Sequence, residues 1–274
     1  MTAMVVAIAV LASACLPDQL DGRQERADAG PAVDLSWFEA ASAADALDAG
    51  LDAMTQLSSV RLSQAAEIPG DEEGTLEVVS KDLRIAIGTG IGDAVDGDCT
   101  GTLQLPGWGE PAELLVQDDL GAFRGSVDFW LSFGEGLDES LAAVSSTLAD
   151  QYADRWTTTP GLATLCELSD FLDPAARARD DSDAAKAGLS DVAGVPAGRV
   201  VSASPLLTVT TWVQVAEPHR ILRIGLERRR SDGGVPTRTV TTFSEPDTPV
   251  TVDFPASEDI VAFVVPTPDP VTGE

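Results

Sequence analysis

The residues of this 274-residue chain with chemistry to offer are three cysteines, Cys15, Cys99 and Cys166, one histidine, His219, and 45 acidic side chains. A hydrolase built on a Ser–His pair needs the imidazole in a cleft, oriented by a carboxylate and beside an activated serine. His219 instead falls in Ala216-Glu217-Pro218-His219-Arg220, a turn between two strand-like runs, and no Gly-x-Ser-x-Gly elbow occurs. It is expected to be exposed and without a catalytic role. With one histidine and no Cys-x-x-Cys, a zinc site has no ligand set. The loop Gly92-Asp93-Ala94-Val95-Asp96-Gly97-Asp98 gathers carboxylates but lacks the alternating spacing and closing Glu of a calcium loop, and reads as a solvated hairpin turn. Carboxylate pairs suited to glycoside hydrolysis carry no information where acids are this abundant. Gly88 to Gly92 lacks the downstream lysine of a phosphate loop. The expectation is a protein that is not an enzyme, with no metal and no cofactor.

Cys15 has a different setting. Met4 to Ala14 is an apolar run of signal-peptide length, too short to span a bilayer, and it ends in Ala12-Ser13-Ala14-Cys15 before Leu16-Pro17-Asp18. Small residues ahead of a cysteine resemble a lipobox, in which the thiol is acylated (palmitate is the expected chain) and cleavage leaves that cysteine first. Met1-Thr2-Ala3 carries no Lys or Arg, and Leu11 lies one place further from Cys15 than the usual lipobox leucine. The first point leads us to expect a translation start upstream. The competing reading is an ordinary secretory signal with an incidental cysteine. Residues 1–14 are thus read as a lipoprotein signal peptide, and 15–34 as the lipidated cysteine and a flexible polar tether. Export to the extracellular face of the cell membrane follows, and with it an oxidising compartment. Cys99 and Cys166 are then left as an even pair, expected to form a disulfide with Cα atoms about 4.4–6.8 Å apart. Two free buried thiols are the alternative.

Charge narrows the partners. With 17 basic against 45 acidic side chains, the net charge is −28. That excludes nucleic acid, whose binding depends on Lys and Arg neutralising phosphates. It also disfavours anionic headgroups, so the membrane is a partner only through the lipid anchor, and the chain is expected to act as a monomer. Only Lys81 and Lys186 are lysines, and Arg220, Arg223, Arg228, Arg229 and Arg230, with Arg238 nearby, form the one basic concentration. Two readings stand for it: cross-strand partners for local acids on the outer sheet face, or a patch for an anionic headgroup.

The elements that must position these residues follow from periodicity. Hydrophobic residues at 44% allow a sizeable core, and aromatics at 5% make it mostly aliphatic. Leu47, Leu51, Met54 and Leu57 share one face of a helix expected over Trp37 to Leu57. Strand-like runs follow at Ser59–Ile68, Leu76–Ile87, Cys99–Leu105, Ala112–Val116 and Ala122–Val127. Leu137, Leu141, Val144, Leu148 and Tyr152 form a helical stripe capped by Asp138. A further helix runs from Thr159-Pro160 to about Pro174, and Arg177 to Leu189 is a short helix or a surface loop. Strands return at Val195–Ser202 and Leu207–Val215, at a face of Leu222, Ile224 and Leu226, and at Thr237–Phe243 and Val250–Phe254. This order predicts one α+β domain with an antiparallel sheet over 35–265, followed by a Pro-rich tail, 266–274.

Across Trp37 to Ile260 the chain resembles the actinobacterial lipoproteins of the LppX/LprAFG type, whose fold is similar to that of the LolA lipoprotein carrier. The matching pieces are Asp98-Cys99-Thr100-Gly101-Thr102, Phe129-Trp130, Arg155-Trp156, Gly194-Val195-Pro196-Ala197-Gly198, Trp212-Val213 and Pro218-His219-Arg220-Ile221-Leu222-Arg223-Ile224. None is a catalytic motif, and Tyr152 is the only tyrosine where many relatives carry more. The resemblance implies a strongly curved antiparallel sheet, an open half-barrel, wrapped around several helices and enclosing an apolar cavity for a lipid or glycolipid. On that expectation the cavity walls are Leu47, Leu51, Met54, Leu141, Val144 and Leu148 from the helices. Leu83, Ile85, Ile87, Val209, Val213 and Val215 line it from the strands. Replacing Val213 with Trp is then expected to weaken lipid uptake with the fold intact. The competing functions are a surface-anchored interaction module without a cavity and, more distantly, an acidic hydrolase.

Overall fold

Ser42 divides the first helical stretch. The expected single helix is two: α1, Ser36–Ala40, and α2, Ala43–Thr55. The cause is a capping box, in which the Ser42 Oγ accepts from the Asp45 amide at 3.1 Å and the Asp45 carboxylate accepts from the Ser42 amide at 3.2 Å. The Ser42 hydroxyl, which donates to the same carboxylate at 2.7 Å, and then the Ser42 amide hold the Asp45 carboxyl below the usual carboxylate range. The computed structural model describes residues 34–69, 76–87, 97–104, 110–118, 120–137, 144–229 and 235–264. Cys15, Leu141, Arg230, the signal peptide, nearly all of the tether, residues 92–96 of the acidic loop and the tail lie outside the described residues.

The strands are β1 Ser59–Pro69, β2 Leu76–Ala86, β3 Cys99–Gln104, β4 Ala112–Gln117, β5 Leu120–Arg124 and β6 Trp156–Thr158. They continue with β7 Ala185–Val192, β8 Val195–Ala203, β9 Leu207–Gln214, β10 Ile221–Arg228, β11 Thr237–Ser244 and β12 Ile260–Ala262. Among the described residues these twelve make one sheet, in the order β12-β6-β5-β4-β3-β2-β1-β11-β10-β9-β8-β7. Every described pairing is antiparallel except β12 with β6. The edge strands β12 and β7 do not pair, so the sheet is open. This is the α+β class expected, with helices α3 Val127–Leu137, α4 Ser145–Tyr152 and α5 Leu168–Arg179 and a 3₁₀ turn, Leu162–Cys166.

Several expectations are corrected. Residues 127–137 are helical, so Leu137 belongs to α3 and Leu148 and Tyr152 to α4, while the expected cap Asp138 and Leu141 lie outside the described residues. Helix α5 does not stop at Pro174. Its buried face continues through Ala175 and Ala178, and the carbonyl freed by proline belongs to the exposed Asp170. Of Arg177 to Leu189, expected as a short helix or a loop, the first residues end α5 at Arg179 and the last enter the edge strand β7 at Ala185. Val250–Phe254 is no strand: β11, the strand before it, already has β1 and β10 on its two sides. In β10 a bulge between Ile221 and Arg223 puts Ile221 and Ile224 on the buried side and leaves Leu222 and Leu226 only half-buried, contrary to the simple alternation expected.

One continuous core gathers side chains of β1–β4 and β8–β11 around α2 and α5. A second, smaller cluster packs Phe129, Trp130, Leu148 and Tyr152 of α3 and α4 with Phe123 and Phe263. The Tyr152 hydroxyl donates to the Val264 carbonyl at 3.0 Å and accepts from the Val264 amide at 3.1 Å, pinning the chain after β12. Much of the scarce aromatic content is thus gathered in the smaller cluster, and the main core is mostly aliphatic, with Phe38, Phe171 and Phe243 among its buried residues.

Candidate functional site

Cys99 opens β3 and Cys166 closes the 3₁₀ turn that leads into α5, and the two are joined by a disulfide with Cα atoms 6.0 Å apart. It ties the sheet to the helix that crosses toward β9 and β10.

The residues expected to line a cavity are brought together, but largely against one another. Leu47, Leu83 and Val213 are 0% exposed, and Met54, Ile85, Ile87, Val209 and Val215 belong to the same buried core, with half-buried Leu51 packed on it. Gly50 allows α2 to approach this closely: a Cβ there would lie 2.9 Å from Ile221 Cγ1. Val144 and Leu148 sit in the aromatic cluster instead.

Free space lies at the end of the strands. A half-open cleft of about 370 Å³ runs below the end of β11 and the start of β10, over the last turn of α2. Met54, Leu57, Val60, Ile221 and Phe243 give it an apolar floor, the β7–β8 turn contributes Val192 and Val195, and Gln214, Arg220, Thr242, Ser244 and Glu245 supply polar edges. Of the eleven described residues among the twelve named from sequence, Met54 alone lines it. The others were missed because the cleft depends on the β10 bulge. Pairing of β10 with β11 begins only at Arg223 and Thr242, so Ile221 and Leu222 stand free of β11. No local signal marks that.

Charged groups around the cleft are organised. Arg61 binds Asp82 at 2.7 Å and Glu245 at 2.8 Å, and Arg84 binds the other oxygen of Glu245 at 3.0 Å. Asp82 is held below the usual carboxylate range by its bond to Arg61. Arg220 Nη2 donates to Asp247 Oδ2 at 3.2 Å, while Asp247 Oδ1 accepts from the Ser58 amide at 2.9 Å. Arg229 and Arg238 both meet Glu227, each at 3.4 Å, and Arg223 lies over the Trp212 ring at 5.7 Å. Most of the basic concentration is therefore engaged with neighbouring acids or an aromatic face. His219 is half-buried rather than exposed: its ring stacks on Trp37, centroids 3.6 Å and planes 8° apart, because the β9–β10 turn folds back onto α1. Lys81 points between β2 and α5, where burial holds its ammonium below the usual lysine range and Asp170 opposes that shift. No three His, Cys, Asp or Glu side chains among the described residues come together as a metal site.

A search of solved structures returns LprF from Mycobacterium bovis, with a TM-score of 0.51 and 15% identity over 78% of this chain and 97% of that one. The chain has the fold of LprF. That agrees with the resemblance to the LppX/LprAFG type read from the sequence. Lipoprotein LppX from Mycobacterium tuberculosis is also returned, with a TM-score of 0.48 and 14% identity over 77% of this chain and 98% of that one. No protein-family model matches, and no curated protein matches in sequence. No described helix is long and apolar enough to cross a membrane.

Proposed function

We propose that this chain is an exported, lipid-anchored protein of the cell envelope that binds an apolar lipid and shields it from water, with no covalent step. The observation that carries the reading is the apolar cleft of about 370 Å³ beside α2, in a chain with the fold of LprF. Each buried methylene contributes about 0.8 kcal/mol, so a cleft of this kind holds an alkyl chain by water exclusion alone. Met54 is the residue shared between cleft and sequence-derived wall, and the packed residues behind it, Leu47 and Val213 among them, form its backing. The test is mass spectrometry of organic extracts from purified protein, with titration of a fluorescent fatty acid into delipidated protein. We expect a co-purifying lipid and micromolar binding. Absence of both overturns the carrier reading.

The anchor is proposed at Cys15, ahead of the tether and the domain of 35–265. Cys15→Ala, in a chain with an export-competent N-terminus, is expected to move the protein from membrane to soluble fractions. Retention after salt and carbonate washes would sink the lipobox reading. A second reading, an interaction module without a ligand, draws support from the filled interior, where Leu47, Leu62, Leu83 and Val213 have no exposed surface.

A further inference from the structure

We propose that the cleft takes a single-chain amphiphile with an anionic head, and that Arg220 receives the head. This rests on the carrier reading and narrows its ligand. Small-molecule sites run to roughly 300–1,000 Å³, and about 370 Å³ lies at the low end, with room for one alkyl chain. The floor of Met54, Leu57, Val60, Ile221 and Phe243 suits that chain. At the edge, Arg220 has Nη2 committed to Asp247, but its Nε is buried and no described group accepts from it. A buried donor without an acceptor is costly, and an incoming oxygen relieves that cost. The planar guanidinium fork suits a carboxylate or phosphate.

The surrounding charges permit an anion. Glu245 lines the cleft but is already bound by Arg61 and Arg84, and Asp247 is shared between Arg220 and Ser58. Two other arginines, Arg199 and Arg223, also have a buried Nε without an acceptor among the described residues. Neither lines the cleft: Arg199 donates to the Ala187 carbonyl at 2.7 Å and Arg223 lies over Trp212. Among the described residues, Arg220 alone combines the free donor with an apolar floor.

The test uses the full chain carrying Cys15→Ala, so that no anchor competes, and measures calorimetric binding of dodecanoate, dodecyl phosphate and dodecanol. At least one anion is expected to bind about tenfold or more tightly than the alcohol, and the better anion tells a carboxylate head from a phosphate. Arg220→Met is expected to bring the anions down to the affinity of dodecanol. If that variant does not fold, the wild-type comparison of the three probes decides by itself. Equal affinity for all three, or a preference that survives in folded Arg220→Met, overturns the head-binding role of Arg220 and leaves the carrier reading standing. Binding of none overturns both.

Discussion

Replacing Cys99 and Cys166 together by alanine is expected to destabilise the protein by about 4 kcal/mol and to lower its melting temperature by roughly 10 °C. The disulfide closes a loop of 67 residues, and in the chain-entropy model that constraint acts by limiting the unfolded chain. The native state loses as well, since both cysteines are buried in the core and alanine leaves a gap at each. What loosens first is predictable from position. Cys166 sits where the 3₁₀ turn hands over to α5, and Cys99 pairs with Ile85 on one side and Val116 on the other. Thermal melts of wild type, the double variant and wild type reduced in denaturant and refolded provide the check. A shift of only a degree or two would show that packing alone holds α5 on the sheet.

Val213→Trp is expected to cost about 3 kcal/mol or more, or to prevent folding. On sequence grounds the same change should merely fill a lipid cavity and spare the fold, and the packing reverses that expectation. Val213 is 0% exposed, and both its γ-carbons lie 3.5 Å from where a Cβ on Gly50 would stand, so helix and strand are already in contact. Overpacking a filled core forces off-rotamer side chains and backbone shifts. Leu57→Trp, by contrast, has the cleft to enter and is expected to cost less while blocking alkyl-chain binding. Urea unfolding of the two variants makes the comparison. A Val213→Trp protein with wild-type stability would mean that the interior has room at its centre, and the ligand site would then belong under the middle of α2 rather than at the strand ends.

What the sequence determined by itself was whatever repeats locally or depends on a single residue type. The alternation of Val209, Thr211, Val213 and Val215 put one face of β9 inside, and all four are buried. The face of Leu47 and Met54 on α2 was legible from helical spacing, and the Cys99–Cys166 bond from the even pair. The quoted residues also carried the resemblance to the fold. Other features depended on contacts between distant parts of the chain. Residues 185–192 have no apolar alternation, and become a strand because β8 offers them an edge. Val250–Phe254 alternates well and forms none, since β11 has no side left to pair. The cleft needs a bulge in β10, the last turn of α2 and the β7–β8 turn at once. Arg220 reads in sequence as one member of a basic run, and only the tertiary structure shows its Nη2 committed to Asp247 and its Nε buried without an acceptor among the described residues. Periodicity states which side of an element is apolar, whereas pairing partners, gaps and stranded donors are properties of where elements meet.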